Sequence, residues 1–561
     1  MVWKRGPWVA GEALMTLLLH SARDLPDPGS YRFWFPTTGT QAALDVERKL
    51  PRLAARLEGA FTACRTLWWR LGCEMGAAKT GDIAIAPTGG SMGSDFGVML
   101  AWSRLGEEMA AGDETCLAVC DDPWLFRHMA GIPGVRAGRP PLLWAPRLRL
   151  RLRGMLARCK LSLSVALAAL RLGRLRHNHA RGDPVLLVYG HPLSDDQGFD
   201  AYFGDLMQKL PKLKRLLHTD CPVGRALELT GDGRTASLHA WGTPLRALGL
   251  VTVLWKPERR HTEGPNGWLV RRAADNENGG GGPAMTRWQM HCQERWLEDV
   301  MPGRVAWPWE NFAWERGLCR AARRHDVKTI GYQHTVIGPH QINYSTATNP
   351  DGLESIPDLV VANGPAYRAE LVAWGVPEDR LLIGGALRFQ RFKQNTYDPE
   401  GPVFVPLSGS LAVARQQLSA ARAIAETGRR ILVKEHPMYP LDFEETQTLK
   451  RTDVPLARQS GLSAVLYSTG TSGLEAMLAG LPSLRLTPED RIAINILPAN
   501  VEVPAADLAS VPRAIEHLAK PEPLAWDRVF APVDSALWRE ILTGNGPLKP
   551  DRLKSAGPPT K

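Results

Sequence analysis

Three stretches decide the fold: PVFVPLSGS (402–410), ILVKEHP (431–437) and AVLYSTGTSGLEAMLAG (464–480). Each begins with an apolar run of strand length and ends in a polar cluster. The first and third clusters run into helical patterns, GSLAVARQQLSAARAIAE and TSGLEAMLAG, and a further strand-like run, LPSLRL, follows at 481–486. Short apolar runs alternating with helices predict parallel strands buried on both faces. Ligands of an open parallel sheet bind outside the carboxyl ends of its strands. The polar clusters are therefore the candidate site: Ser408 and Ser410; Lys434 and His436; Ser468, Thr469, Thr471, Ser472 and Glu475. Hydroxyl and glycine residues at a helix start offer free N–H groups to an anion. Lys434 and His436 add charge and hydrogen bonds, and Glu475, one turn into its helix, is placed to accept from a ribose. Together they predict a nucleotide-phosphate pocket. Singly, Thr471 or Ser472 is an ordinary helix cap and His436 an ordinary turn residue. Repetition at successive strand ends carries the reading. GTSG is not GxSxG, so a serine-hydrolase elbow is not supported.

The alternation extends towards the N-terminus. Trp309 to His325 reads as a helix and VKTIGYQH (327–334) as a strand with its exit; PDLVVANG (357–364) and LLIGGALR (381–388) repeat the pattern. DPVLLVYG (183–190) is a buried-strand run that opens into HPLSDDQGF, with a helix near 199–217. VTVLW (251–255) is strand-like, and NENGGGGP (276–283) is a breaker cluster that predicts a loop. Further upstream, IAIAP (83–87), a helix over 94–109 and CLAVC (116–120) have βαβ spacing. The Gly-rich TGGSMGSDFG (88–97) is neither GxGxxG nor a GK[ST] loop and reads best as a tight turn. The expected architecture is α/β, with two doubly wound, Rossmann-like domains facing a cleft and a basic amphipathic helical insertion in the N-terminal half. The boundaries expected are 1–395 for the first domain and 396–543 for the nucleotide-binding second domain, with a disordered tail at 544–561.

Composition agrees with a folded protein. The chain has 561 residues, 44% apolar and 22% charged, which excludes a mainly disordered, collagenous or coiled-coil chain. Its 8 cysteines form no CxxC pair, which argues against zinc ribbons, redox motifs and disulfide frameworks. His177-Asn178-His179 has no further ligands nearby and is not read as a metal site, and no Asp-x-Asp motif stands ready for a divalent ion. No apolar run reaches the roughly 18 residues of a spanning helix, and the N-terminus lacks a secretory core with a cleavage site.

The charge is concentrated. From Pro123 to Gly182 there is no Asp or Glu but there are 13 Lys and Arg, so the net +10 of the chain becomes −3 without them. Within this block Leu148, Leu152, Met155, Cys159, Leu163, Ala166 and Leu170 form one helical stripe. Arg147, Arg151 and Arg158 flank it on one side, and Arg149, Arg153 and Lys160 on the other. Such a pattern suits a helix lying in an anionic membrane interface, through 147–176. The plainer readings are a surface helix packed on its own core and, for RLRLRLR, an edge strand. Nucleic acid is disfavoured, because aromatics are few and no binding module is present.

The second-domain motifs resemble the C-terminal half of GT-B-fold glycosyltransferases. More narrowly, the HP and Ser/Thr pairing resembles bacterial sialyl-, polysialyl- and Kdo-transferases that use CMP-activated sugars. WPWENFAWERGLCRAARRHDVKTIGYQHTVIGPH resembles the N-terminal half of capsule and O-antigen biosynthesis proteins of that group. The resemblance covers roughly 300–500; residues 1–180 match nothing comparable. It implies that His436 and the Ser/Thr cluster hold the donor phosphate and that the base comes from the first domain. The acidic triplet of some relatives is missing here. His334, placed like the base of related glycerophosphotransferases of teichoic-acid synthesis, is the first candidate. Glu310 is the second, and Asp195 with Asp196 the third.

The activity expected is transfer of a sugar, such as Kdo or another nonulosonic acid, from a nucleotide donor, with no cofactor. The partners expected are a CMP-linked donor, a surface polysaccharide or lipid-linked acceptor, and the inner face of the inner membrane from the cytoplasm. The alternatives are a UDP-GlcNAc 2-epimerase, a polyol-phosphate transferase, and an inactive scaffold of polysaccharide assembly.

Overall fold

The computed structural model describes residues 16–37, 39–89, 93–389, 391, 396–436, 439–499, 501–544, 546 and 548. Residues 90–92 of the Gly-rich stretch, Pro437 of the HP pair and the tail beyond 548 lie outside them.

The chain folds around three parallel sheets. Strands β1 (Leu17–His20), β2 (Phe33–Pro36), β3 (Cys116–Val119) and β4 (Val135–Ala137) form a four-stranded sheet in the order β2-β3-β1-β4. A seven-stranded sheet follows, from β5 (Pro184–Val188), β6 (Lys214–Leu217), β7 (Thr235–Ser237), β8 (Arg304–Pro308), β9 (Lys328–Tyr332), β10 (Leu359–Ala362) and β11 (Leu381–Ile383). Its order is β11-β10-β9-β8-β5-β6-β7. The third sheet comprises β12 (Val403–Pro406), β13 (Ile431–Lys434), β14 (Leu449–Arg451), β15 (Ala464–Tyr467), β16 (Ser483–Leu486) and β17 (Ala505–Ala506), in the order β14-β13-β12-β15-β16-β17. The two larger sheets each wind outwards in both directions from a central pair of strands, β5 and β8 in one and β12 and β15 in the other. That is the doubly wound topology, in which the crevice at the reversal of strand order is where ligands bind.

Helices α1 (Phe96–Ala110) and α2 (Trp144–Leu172) flank the small sheet and its exit. Helices α3 (Gly267–Gly280), α4 (Gly282–Val300) and α5 (Ala313–Arg324) cover the seven-stranded sheet, and α6 (Leu411–Glu426) and α7 (Ser472–Leu478) belong to the last sheet. Helix α8 (Ser535–Thr543) returns to the first large sheet. There Trp538 is buried against Phe203 and Tyr332, and Arg304 donates to the carbonyls of Glu540 and Ile541. One continuous apolar core joins the small sheet to the seven-stranded one and reaches Tyr467, Leu474 and Leu478 of the last domain, whose two other clusters lie on its own sheet.

Several local expectations are corrected. The two-domain expectation lacked the small sheet, whose strands β1, β2 and β4 have only three or four residues each. IAIAP forms a turn instead of a strand, because the N–H groups of Ile85 and Ala86 donate to the buried carboxylate of Glu277. VTVLW is not a strand either: Asn278 brackets Trp255 by bonding both its N–H and its carbonyl. The breaker cluster is helical, as the end of α3, a joint at Gly281 in the left-handed region (φ +78°), and the start of α4. The expected helix at 199–217 shrinks to Leu206–Lys209, and its end is strand β6. RLRLRLR is helix α2, not an edge strand.

The basic segment differs most. Helix α2 packs inwards through Gly154, Arg158, Ser162, Val165 and Ala169, so the apolar stripe read from the sequence faces solvent. Arg158 is not a flanking surface cation. It is buried and donates to the carbonyls of Val251 and Asn278 at 2.9 and 3.0 Å.

Candidate functional site

At the central crevice of the last sheet lies a cavity of about 690 Å³. From β12 it takes Ser408, Gly409 and Ser410, from β13 His436, and from β15 Thr469 to Ser472. These loops are built for each other. Ser408 Oγ and Thr469 Oγ1 share a 2.6 Å hydrogen bond across the two central strands. The Ser408 N–H donates to Gln417 Oε1 at 2.8 Å, which ties the loop to α6. Ser410 is the N-cap residue of α6 and makes no side-chain cap bond, so the first N–H groups of a 16-residue helix stay available to an anion. Gly409 lets the loop pass close to the imidazole: a Cβ there would lie 3.2 Å from His436 Nε2. Gly470 has φ +120°, which only glycine adopts easily.

His436 is half-buried and stacks on Tyr439 at 5.5 Å. Burial lowers its pKa, which favours the neutral imidazole over the cation. Three other expected residues are occupied elsewhere. Lys434 Nζ donates to the carbonyl of Asp453 at 3.0 Å and is no wall of the cavity. Ser468 is buried and donates to the carbonyl of Leu486. Glu475 accepts from Thr471 Oγ1 at 2.8 Å, and burial pushes its carboxyl up against that bond and the Arg388 charge. Arg491 and Ile492, from the segment after β16, were not expected and line the cavity.

The other two sheets close the same space. Thr335 and Gln341 come from the seven-stranded domain, and Gly93, Ser94, Asp95 and Val98 from the start of α1. The end of the Gly-rich stretch thus faces the cavity. Asp95 is held there by a two-pronged pair with the buried Arg272, at 2.8 and 2.7 Å, a guanidinium that it shares with Asp122 at 2.7 Å.

The crevice of the seven-stranded sheet holds a titratable cluster. Glu310 follows β8, Tyr189 and His191 follow β5, and His334 follows β9. Burial pushes the Glu310 carboxyl up to about 7, with Arg388 pulling it back. Its own backbone N–H donates to the buried Glu315, which also caps α5 through Phe312. His334 is buried, its ring set edge-on to Tyr202 at 5.1 Å, and burial followed by the Arg388 charge holds its pKa well below 6.5. Of the two, Glu310 is the one that follows a strand at the reversal of strand order. Asp195 closes its own loop by accepting from the N–H groups of Gln197 and Phe199, and Asp196 accepts from the Gln197 amide.

Arg388 was missed, although LLIGGALR carried the same strand-exit signal as the other clusters. Its guanidinium stands over the Tyr202 ring at 5.2 Å and reaches the His334 carbonyl at 3.5 Å. It acts on Glu310 in one domain and on Glu475 in the other. Among the described residues, Glu294, Glu298 and His325 are the one group spaced to share a metal ion. Glu294 is already paired with Arg324 at 2.6 Å, and none of the three lines the crevice cavity.

The fold defines a class: an α/β protein with two doubly wound parallel sheets that present their central crevices to one cleft. No family model and no curated protein matches the chain. Among solved structures it is similar to the glycotransferase of kitacinnamycin (12% identity, 66% of this chain and 97% of that one, TM-score 0.38). It is also similar to S. aureus MnaA in a co-structure with UDP (10% identity, 67% and 98% covered, TM-score 0.37) and to the calicheamicin glycosyltransferase CalG4 (16% identity, 67% and 98% covered, TM-score 0.35). These overlaps are loose, and the chemistry rests on the residues themselves.

Proposed function

We propose that this protein is a glycosyltransferase that takes a sugar from a nucleotide donor. The reading rests above all on the pairing of two crevices: a hydroxyl-lined cavity under the α6 N-terminus, and a carboxyl held near neutrality in the opposite domain, with Arg388 acting on both sides. In this mechanism the donor phosphate lies among Ser408, Ser410, His436, Thr469 and Thr471. Glu310 takes the proton of the acceptor hydroxyl, whose oxygen forms the new bond to the anomeric carbon. The bond from that carbon to the phosphate oxygen breaks, and the departing charge is met by the hydroxyls, the imidazole N–H and the helix N-terminus. A CMP-linked donor and a surface-polysaccharide or lipid-linked acceptor at the inner-membrane face belong to the proposal through the motif resemblance alone.

A thermal-shift panel of CMP, CDP, UDP and GDP tests the pocket and the donor class together. The expected outcome is stabilisation by at least one nucleotide, with CMP giving the largest shift. No shift with any of them would favour a scaffold without nucleotide chemistry. Conversion of a nucleotide sugar in the absence of acceptor would favour the epimerase reading.

A further inference from the structure

Helix α2 is amphipathic in the wrong sense for a surface helix. A helix that packs on its own protein normally turns its apolar stripe inwards. Here the buried face is built mainly from the small residues Gly154, Ser162, Ala168 and Ala169, with Arg158, Val165 and Leu172, while most of the leucines turn outwards. Gly154 lies so close to α3 that a Cβ would come within 2.1 Å of the Asn278 carbonyl oxygen. Ser162 Oγ donates to the Ala247 carbonyl at 2.8 Å, Arg153 to Gly279 at 2.8 Å, and Arg147 pairs with Asp275 at 2.9 Å. The outward face carries Leu148, Leu152, Leu156, Leu163, Leu167 and Leu170, each between 49% and 67% exposed. Trp144, at the start of the helix, is 66% exposed. Over 29 residues the helix is about 43 Å long at 1.5 Å per residue, so the leucines form a track and not a spot.

Charge identifies what covers that track. Arg149, Lys160 and Arg171 lie along one margin and Arg151 along the other. Among the described residues none of the four has a side-chain hydrogen bond or ion pair, and no acid stands between Pro123 and Gly182. A second copy of the chain would bring cations against cations with no acid of this segment to separate them. Nucleic acid would leave the leucines without an apolar partner. We propose that the outward face of α2 docks on an anionic lipid bilayer, with the leucines among the upper acyl chains and the cations at the headgroups. No helix among the described residues is long and apolar enough to cross a membrane, so the helix lies along the surface.

The proposal does not depend on the nucleotide reading, because vesicle binding is measured without donor. The full chain is floated with phosphatidylglycerol–phosphatidylcholine vesicles and with pure phosphatidylcholine vesicles, at low and high salt. Binding to the anionic vesicles is expected, weakened by salt. R149Q/R151Q/K160Q/R171Q should lower partitioning by about 10²- to 10³-fold at low salt. L152D/L163D should remove the binding that survives high salt, with an unchanged melting temperature because both leucines are solvent-facing. Wild-type protein that ignores both vesicles overturns the proposal. So does unfolding of L152D/L163D, or a wild-type dimer that the two aspartates dissociate without any vesicle binding in either protein.

Discussion

At the residue scale, Glu310 is the group whose titration should be felt in both activity and stability. Its folded pKa is about 7 against an ordinary 4.5. A carboxyl raised in this way contributes stability that is fully present below about pH 4.5 and is lost as pH rises through 7. As a general base it works only when ionised, so activity should climb over the same interval in which stability falls. Expected of kcat/KM is an acidic limb near pH 7. E310Q should lose about 10²- to 10⁴-fold in turnover while still binding nucleotide. It should also flatten the loss of stability between about pH 4.5 and 7, though only partly, since Glu277 is likewise pushed up to about 7. Arg388 favours the ionised form of Glu310, so R388Q should move the acidic limb to higher pH; an unmoved limb would assign the titration to another group. H436A tests the opposite crevice. Losing one hydrogen bond to a charged phosphate costs roughly 1.5–3 kcal/mol, about 10- to 150-fold in nucleotide affinity by calorimetry.

At the scale of elements, the junction between α2 and α3 is tight. The Cβ of an alanine at 154 would meet a backbone carbonyl, which cannot swing aside. G154A should therefore cost about 1–3 kcal/mol in urea unfolding, whereas L156Q on the outward face should change stability by less than about 0.5 kcal/mol. The same junction explains why the Gly run at 279–282 reads as a loop yet folds as helix. Gly279 is needed because Leu150 crosses it closely, a tertiary reason that no local window contains. The strands of the last sheet were legible because their runs are apolar on both faces and end in polar clusters. Strand β6, Lys214–Leu217, was not, because it carries Arg215 into the core. That guanidinium is paired there with the buried Asp232 at 3.2 Å and with surrounding carbonyls, a partnership that composition does not reveal. The crevice residues were readable as strand exits, but their division of labour was not. Which exits flank the reversal of strand order depends on which strands pair, so Glu310 and His334 look equivalent until β8 is seen beside β5.

At the scale of the whole molecule, the cavity exists because three sheets converge, and specific polar contacts add to the shared apolar core that joins them. Lys49 of the first unit pairs with Glu489, and Glu58 with Arg485 on β16 at 2.7 Å. Arg485 also donates to the Ala493 carbonyl at 2.7 Å, and His340 of the middle domain makes a 3.1 Å hydrogen bond with that same carbonyl. A single peptide group, in the segment that carries Arg491 and Ile492 to the cavity wall, is thus held from two sides. R485M removes one hold and leaves Glu58 without its partner. The expected cost is about 1–3 kcal/mol, the range for losing charge-assisted hydrogen bonds and leaving a partly buried carboxylate without its partner. E58Q/R485M should recover part of it, because the uncompensated carboxylate is gone, and a double-mutant cycle in urea isolates that coupling. The double variant still lacks the hold on Ala493. If that segment forms the nucleotide wall, the double variant should therefore show a smaller nucleotide-induced thermal shift than wild type even where its stability has been regained. An undiminished shift would mean that the wall is set by the last domain alone and that the first unit serves only to brace it.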